Sequence, residues 1–76
     1  MHWTTVVKRR EVIKRIANAA SAQGVSWRLV RQGANHEVWV LGGVTIPIAR
    51  HREFGNRTAE MIWKECEARL GKDWWR

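Results

Sequence analysis

The sequence predicts a small α+β domain in which three short strands lie between two helices, in the order α-β-β-β-α. Apolar residues recur at helical spacing towards both ends of the chain and alternate with other residues in the middle. A chain of 76 residues has room for one domain. We therefore treat residues 1–76 as a single unit, with a core over about residues 5–71 and a short tail over residues 72–76.

The first helix is predicted from about Thr5 to Ala22. Its apolar stripe consists of Val12, Ile13, Ile16, Ala17 and Ala20. Gly24 follows this stripe, and glycine commonly ends a helix because it enters the left-handed conformation without steric cost. We therefore expect the helix to stop just before Gly24.

Three segments with alternating side chains then predict strands. The first has Val25, Trp27 and Leu29 on one face. The second has Trp39 and Leu41 on one face and Val38 and Val40 on the other. The third has Val44, Ile46 and Ile48 on one face. Gly42 and Gly43 join the last two strands and suit the positive φ angles of a tight hairpin. Pro47 has no N–H to donate within a sheet, so the third strand is predicted to be an edge.

The second helix is predicted from about Arg57 to Leu70, with Asn56 as its N-cap and Gly71 at its end. Its apolar stripe consists of Ala59, Ile62, Trp63, Cys66 and Leu70. Two helices stacked on one face of a three-stranded antiparallel sheet would bury both apolar stripes at once. Double-stranded-RNA-binding domains have this architecture.

The charge balance is strongly basic, with 14 Lys and Arg residues against 7 Asp and Glu residues and a net charge of +7. Such a field favours polyanions, of which nucleic acid is the usual partner, although an anionic membrane surface or an acidic protein also fits. No apolar run approaches the roughly 20 residues of a membrane span, and no signal-peptide pattern opens the chain. The single cysteine suits a reducing compartment. We expect a cytoplasmic protein without a membrane partner.

His36 is the candidate catalytic residue, because it stands where a tight turn leads into the second strand. A strand end holds an imidazole exposed but fixed, and histidine is the side chain best suited to exchange a proton at neutral pH. Cleavage of RNA by its own 2′-hydroxyl requires a base, an acid and positive charge near phosphorus. A lone strand-end histidine is more often structural, so position alone leaves both interpretations open.

A second group, Arg50-His51-Arg52, lies between the edge strand and the second helix, whose N-terminal end also favours phosphate. A phosphate site and a solvated charged loop are both compatible with this group. The three histidines and the cysteine are far apart in sequence, without the close ligand pairs of zinc sites. The sequence therefore predicts no metal and no other cofactor.

These residues together resemble the HicA toxins, the YcfA-like mRNA interferases of toxin-antitoxin pairs. The resemblance covers roughly residues 8–70. It rests on the helix segment Arg10–Lys14, the Gly-x-x-His turn from Gly33 to His36 with Trp39 after it, and the run Ile46–Glu53. The tail over residues 72–76 has no counterpart in the resemblance.

The resemblance implies the same α-β-β-β-α fold and an endoribonuclease that cleaves mRNA with His36 as the catalytic residue. It also implies a HicB-type antitoxin that covers the active site. Asn35 stands where the family often has serine. Arg31, Asn35, Arg50 and His51 are the residues expected to bind and position RNA.

Two other function classes remain open. A noncatalytic double-stranded-RNA-binding module would have the same fold and would not depend on His36. An inactive adaptor would use its basic face to bind only an acidic protein, and that complex would survive nuclease and high salt. Binding of RNA, in contrast, weakens steeply as salt rises.

Overall fold

The computed structural model describes residues 6–76 and confirms a small α+β domain with a three-stranded antiparallel sheet and helices. Residues 1–5, which include the predicted helix start at Thr5, lie outside the described part of the chain. The elements are β1 (Val6–Lys8), α1 (Arg9–Gln23), β2 (Trp27–Gln32), β3 (His36–Leu41), β4 (Val44–Ala49), β5 (Glu53–Gly55), α2 (Asn56–Glu65) and α3 (Glu67–Leu70).

The three-stranded sheet has the order β2-β3-β4, so β4, which contains Pro47, is an edge strand as predicted. Gly42 and Gly43 have φ angles of 53° and 90°, which confirms the tight hairpin between β3 and β4. The pairing of β2 with β3 shifts register between Leu29 and Arg31. This bulge leaves Val30 half-exposed and turns Arg31 to the same face as its partner on β3.

Both long helices pack on one face of the three-stranded sheet. The buried residues of this face, of α1 and of α2 form a single core: Leu41, Ile46 and Ile48 from the sheet; Val12, Ile16 and Ala20 from α1; Ala59, Ile62 and Trp63 from α2. The opposite face of the sheet carries the side chains that alternate with these, among them Arg28, Arg31 and Val38. We call it the open face.

The structure contains two short strands, β1 and β5, that the sequence did not predict. β1 and β5 pair antiparallel and form a separate two-stranded sheet, with Val7 opposite the buried Phe54. A strand of three residues is too short to show an alternating pattern, and it becomes a strand only because its partner is brought beside it. As a consequence α1 begins at Arg9, and residues 6–8 are not helical.

The predicted second helix is divided at Cys66, between the end of α2 and the start of α3. The carbonyl of Trp63 accepts hydrogen bonds from the Cys66 N–H at 3.1 Å and from the Trp74 Nε1–H at 2.8 Å. A bond from a residue three positions ahead tightens the helical turn. An indole from the tail therefore helps to set the break, which periodicity within the helix does not reveal.

The helix ends agree with the prediction at two of four positions, which are the two C-terminal ends. Gly24, with φ of 69°, ends α1, and Gly71, with φ of 96°, ends α3. At the start of α2 the N-cap is Gly55, and Asn56 is the first helical residue, so the predicted N-cap is wrong by one position. No helix within residues 6–76 combines the length and the apolarity needed to cross a membrane.

Cys66 lies in the core, as its place on the apolar stripe predicts. Burial, followed by the nearby charge of Glu65, raises the pKa of the Cys66 thiol to about 12. The thiol is therefore protonated at neutral pH and packs as a small apolar side chain.

The tail folds back onto the helices. The Trp75 ring stacks on Trp63 with the ring centroids 5.8 Å apart. The Glu67 carboxylate accepts hydrogen bonds from the Asp73 backbone N–H at 2.9 Å and from the Trp75 Nε1–H at 3.3 Å. The tail thus extends the core of a domain that is too small to bury much surface without it.

We predict that Gly42→Ala lowers the free energy of unfolding by about 2 kcal/mol, because an alanine at positive φ is strained. A Cβ at this position would also lie 2.9 Å from the Val25 side chain. Urea unfolding measures the change. The control is Gly55→Ala, where φ is −63° and a Cβ meets nothing within 4 Å, so that only the weaker N-capping of alanine acts and we expect a change of about 1 kcal/mol or less. Equal effects in both variants would contradict this explanation.

We predict that acid weakens the attachment of the tail to Glu67. The Asp73 N–H, the Trp75 indole and the charges of Lys64 and Lys72 hold the pKa of Glu67 below its ordinary value of 4.5. Docking that depends on the charged carboxylate is complete above pH 4.5 and is lost as the pH falls through the lowered pKa.

Tryptophan fluorescence against pH, with circular dichroism to follow the helices, measures this weakening at Trp75. Glu67→Gln should abolish the fluorescence transition, and Glu60→Gln, which removes an exposed carboxylate from α2, should leave it in place. A transition that survives in Glu67→Gln would refute the assignment.

Candidate functional site

His36 is the first residue of β3 and lies opposite Ala49 of β4. The turn before it is closed by a hydrogen bond of 2.8 Å from the Gly33 N–H to the His36 carbonyl. Its neighbour Glu37 is buried on the helix-facing side, so the exposed His36 side chain points to the open face. The backbone of His36 is held on both sides while its imidazole is exposed to solvent.

The imidazole lies in a shallow cleft of about 290 Å³, which we call the His36 cleft. Its lining residues are Arg31, Gly33, Ala34, Asn35, His36 and Val38. The β-bulge contributes to this arrangement, because Arg31 pairs with Val38 and therefore shares the face of His36. Three of the predicted site residues, Arg31, Asn35 and His36, are thus brought together.

The other two predicted site residues, Arg50 and His51, line a second and larger cleft of about 420 Å³, which we call the basic cleft. Its lining residues are Lys8, Arg9, Arg10, Glu37, Arg50, His51, Arg52 and Glu53. Five cationic Lys and Arg side chains thus face two carboxylates. This excess of positive charge favours anions.

The surroundings of Arg50-His51-Arg52 differ from the prediction. The sequence placed this segment at the start of the second helix, but β5 separates it from α2. It faces the start of α1 instead, where the Arg9 N–H donates a hydrogen bond of 2.9 Å to the Arg52 carbonyl. The pairing of β1 with β5 brings the start of α1 to this position, and that pairing is absent from the predicted order.

Arg50 connects the two clefts. Its backbone N–H donates to the Asn35 carbonyl at 2.9 Å, and its Nη1 donates to the Gly33 carbonyl at 3.0 Å. Gly33 and Asn35 both line the His36 cleft, whereas Arg50 itself lines the basic cleft. The predicted RNA-binding residues therefore occupy one end of the sheet, distributed over two adjoining clefts.

Sequence reasoning missed the buried ion pair between Arg9 and Glu37. Glu37 is only 7% exposed; its carboxylate binds the Arg9 guanidinium and accepts a hydrogen bond of 3.1 Å from Trp39 Nε1. The Nε of Arg9 also donates to the Ala49 carbonyl at 3.0 Å, and Ala49 is the strand partner of His36. The sequence did contain one indication that Glu37 is buried, because alternation along β3 places it on the same side as the core residue Leu41.

Trp39 lies on the helix-facing side of the sheet, as do Glu37 and Leu41 of the same strand. Its ring stacks on Trp27 with the centroids 4.5 Å apart and the planes 12° from parallel. The Trp39 ring is therefore on the face opposite His36, where it packs against the edge of the core.

No three histidine, cysteine or carboxylate side chains within residues 6–76 come together as a metal ion would require. Comparison with protein families, with curated proteins and with solved structures finds no match to this chain. A function for this chain therefore has to be inferred from the geometry and charge of the two clefts.

We predict that Arg9→Met and Glu37→Met each lower the free energy of unfolding by about 2 kcal/mol, because each leaves a partly buried charge without its partner. The double variant should cost less than the sum of the two single variants, since two apolar side chains can pack together. Urea unfolding of the four proteins measures the coupling. Glu53→Gln, an exposed carboxylate of the same cleft, serves as the control. Additive single effects would rule out the coupling.

Proposed function

We propose that this chain is a metal-independent endoribonuclease of the HicA type, the toxin of a type II toxin-antitoxin system that acts on mRNA in the cytoplasm. The observation that carries the proposal is the setting of His36. Its exposed imidazole stands at a fixed strand end, shares a cleft with Arg31 and Asn35, and lies next to the turn that Arg50 holds.

The reaction proposed for the His36 cleft is transfer of a phosphodiester to the neighbouring 2′-oxygen. The 2′-hydroxyl loses its proton, the bond from the 2′-oxygen to phosphorus forms, and the bond to the 5′-oxygen breaks. The departing 5′-oxygen takes up a proton, and a 2′,3′-cyclic phosphate remains. His36 serves as the general acid or base for one of these proton transfers, which fits an imidazole with solvent access.

The other predicted residues have binding roles in this proposal. The Arg31 guanidinium and the Asn35 amide line the His36 cleft and would donate hydrogen bonds to the phosphate oxygens as negative charge develops. Arg50 and His51 lie in the adjoining basic cleft and would bind the strand beyond the reacting phosphate. Asn35 can donate through its amide in place of the serine hydroxyl that is frequent in the HicA family.

We further propose that the natural inhibitor is a HicB-type antitoxin that covers the His36 cleft. A net charge of +7 and the cationic side chains around both clefts favour an acidic partner surface. The proposed fold relationship is to the double-stranded-RNA-binding domains. In its support, two helices pack on one face of a three-stranded antiparallel sheet and leave the other face open.

The alternative is a noncatalytic double-stranded-RNA-binding module. The basic cleft favours it, because five cationic side chains beside a helix start can bind phosphates without any chemistry at His36. The two proposals differ in one respect that an experiment can test, namely whether the effect of the protein depends on the His36 imidazole.

We predict that induction of the wild-type protein in bacteria arrests growth and degrades bulk mRNA, and that His36→Ala does neither. With purified protein, the substitution should slow RNA cleavage by about 10²–10⁴-fold, the usual contribution of a general acid or base. Circular dichroism checks that both proteins are folded, which we expect because His36 is exposed.

His51→Ala is the matched control, because it removes an imidazole from the basic cleft and leaves the His36 cleft intact. It should weaken RNA binding and still allow cleavage. Equal toxicity from folded His36→Ala would refute the catalytic role. RNA binding without cleavage by any of the three proteins would favour the noncatalytic module.

A further inference from the structure

The two clefts open on opposite faces of the three-stranded sheet. His36 and Glu37 are consecutive residues of β3, and consecutive side chains of a strand point to opposite faces. His36 lines one cleft on the open face, and Glu37 lines the basic cleft on the helix-facing side. The sheet end therefore lies between two neighbouring cavities.

Arg50 lies across this boundary. Its side chain lines the basic cleft, and its Nη1 reaches the Gly33 carbonyl, which belongs to the turn that lines the His36 cleft. The backbone of Arg50 directly follows Ala49, the strand partner of His36. A cationic side chain thus lies between the two neighbouring cavities.

The basic cleft keeps positive charge after its internal pairing is counted. Glu37 is bound to Arg9, so this pair is neutral. Lys8, Arg10 and Arg52 are exposed, and the further carboxylate that lines the cleft with them is the exposed Glu53. Such side chains favour a ligand with several negative charges, and the cleft volume of about 420 Å³ can accommodate more than one phosphate group.

We infer that the basic cleft is a second phosphate subsite for the same RNA strand that is cleaved at His36, with Lys8, Arg10 and Arg52 as its additional ligands. The strand occupies the His36 cleft, turns around the sheet end across Arg50 and continues into the basic cleft. This inference rests on the proposed function and extends it, because it specifies a single-stranded substrate and the path of that substrate.

The geometry selects a single strand over a duplex. A path that passes from one face of a sheet to the other must bend sharply within a few nucleotides. Single-stranded RNA can adopt such a bend with its bases unstacked, whereas a regular duplex is stiff and is recognised along one side. A duplex could bind at either cleft but not at both.

The test uses a double variant, Arg10→Gln/Arg52→Gln, which removes two exposed cations and leaves both Arg9 and the Arg52 backbone carbonyl in place. The probe is a short fluorescein-labelled single strand of 2′-O-methyl RNA, which cannot be cleaved because the attacking hydroxyl is blocked. The same strand annealed to its complement is the duplex probe. Fluorescence anisotropy over a range of salt concentrations gives the affinities.

We expect the double variant to bind the single strand roughly tenfold more weakly near 0.1 M salt, with a salt slope shallower by about 0.7 for each phosphate that is no longer neutralised. Affinity for the duplex should change less than affinity for the single strand. The control is Lys14→Gln/Lys64→Gln, which removes two exposed cations that line neither cleft. It should change affinity for the single strand by less than about twofold.

Cleavage kinetics on an unmodified strand separate this inference from the proposed function. The cleft variant should raise KM and leave kcat near the wild-type value, whereas His36→Ala should lower kcat. If the wild-type protein does not cleave RNA, the proposed function fails, and the binding comparison still tests the cleft.

Equal losses of affinity in the cleft variant and in the control variant would show only a general charge effect and would overturn the inference. Equal losses for single strand and duplex would overturn the proposed path. Unchanged RNA affinity together with abolished binding of a polyglutamate peptide would reassign the cleft to an acidic protein surface.

Discussion

The end of the sheet that carries both clefts depends on the position of one guanidinium group. Arg9 begins α1, binds the buried carboxylate of Glu37, donates to the carbonyl of Ala49, and is bonded through its own N–H to Arg52. It thus joins the helix start, two strands and the loop after β4. Glu37 adjoins His36 in sequence and Ala49 lies opposite it. The same ion pair therefore holds the two residues that flank the His36 backbone, Glu37 along the strand and Ala49 across it.

This arrangement explains how so small a domain carries a dense positive surface. Glu37 is the buried carboxylate of the sheet end, and one arginine neutralises it there, which removes the cost of a lone buried charge. The remaining cations of the basic cleft stay in solvent, where their mutual repulsion is screened by salt. Charge that would destabilise a core is kept at its rim, where it is available for a polyanion.

The tail increases the apolar area that the helices bury. Trp74 and Trp75 extend the apolar layer over Trp63, and their indole N–H groups bond to the Trp63 carbonyl and to Glu67. A short chain gains buried area in this way without another element of secondary structure. The Trp74 indole bonds to the Trp63 carbonyl at the division between α2 and α3, so residues beyond the helix contribute to a feature within it.

The sequence by itself determined the elements whose information is local: the stripes of α1 and α2, the alternation of the three long strands, the Gly42-Gly43 hairpin, and the placement of His36 at a strand start. The tertiary structure alone decided the pairing of β1 with β5, the division at Cys66, and the partition of the site residues into two clefts. The physical reason is the distance along the chain over which each interaction acts. Periodicity and turn chemistry act over a few residues, whereas the pair of Arg9 with Glu37 joins residues that are distant in the chain, and only the packed core brings them together.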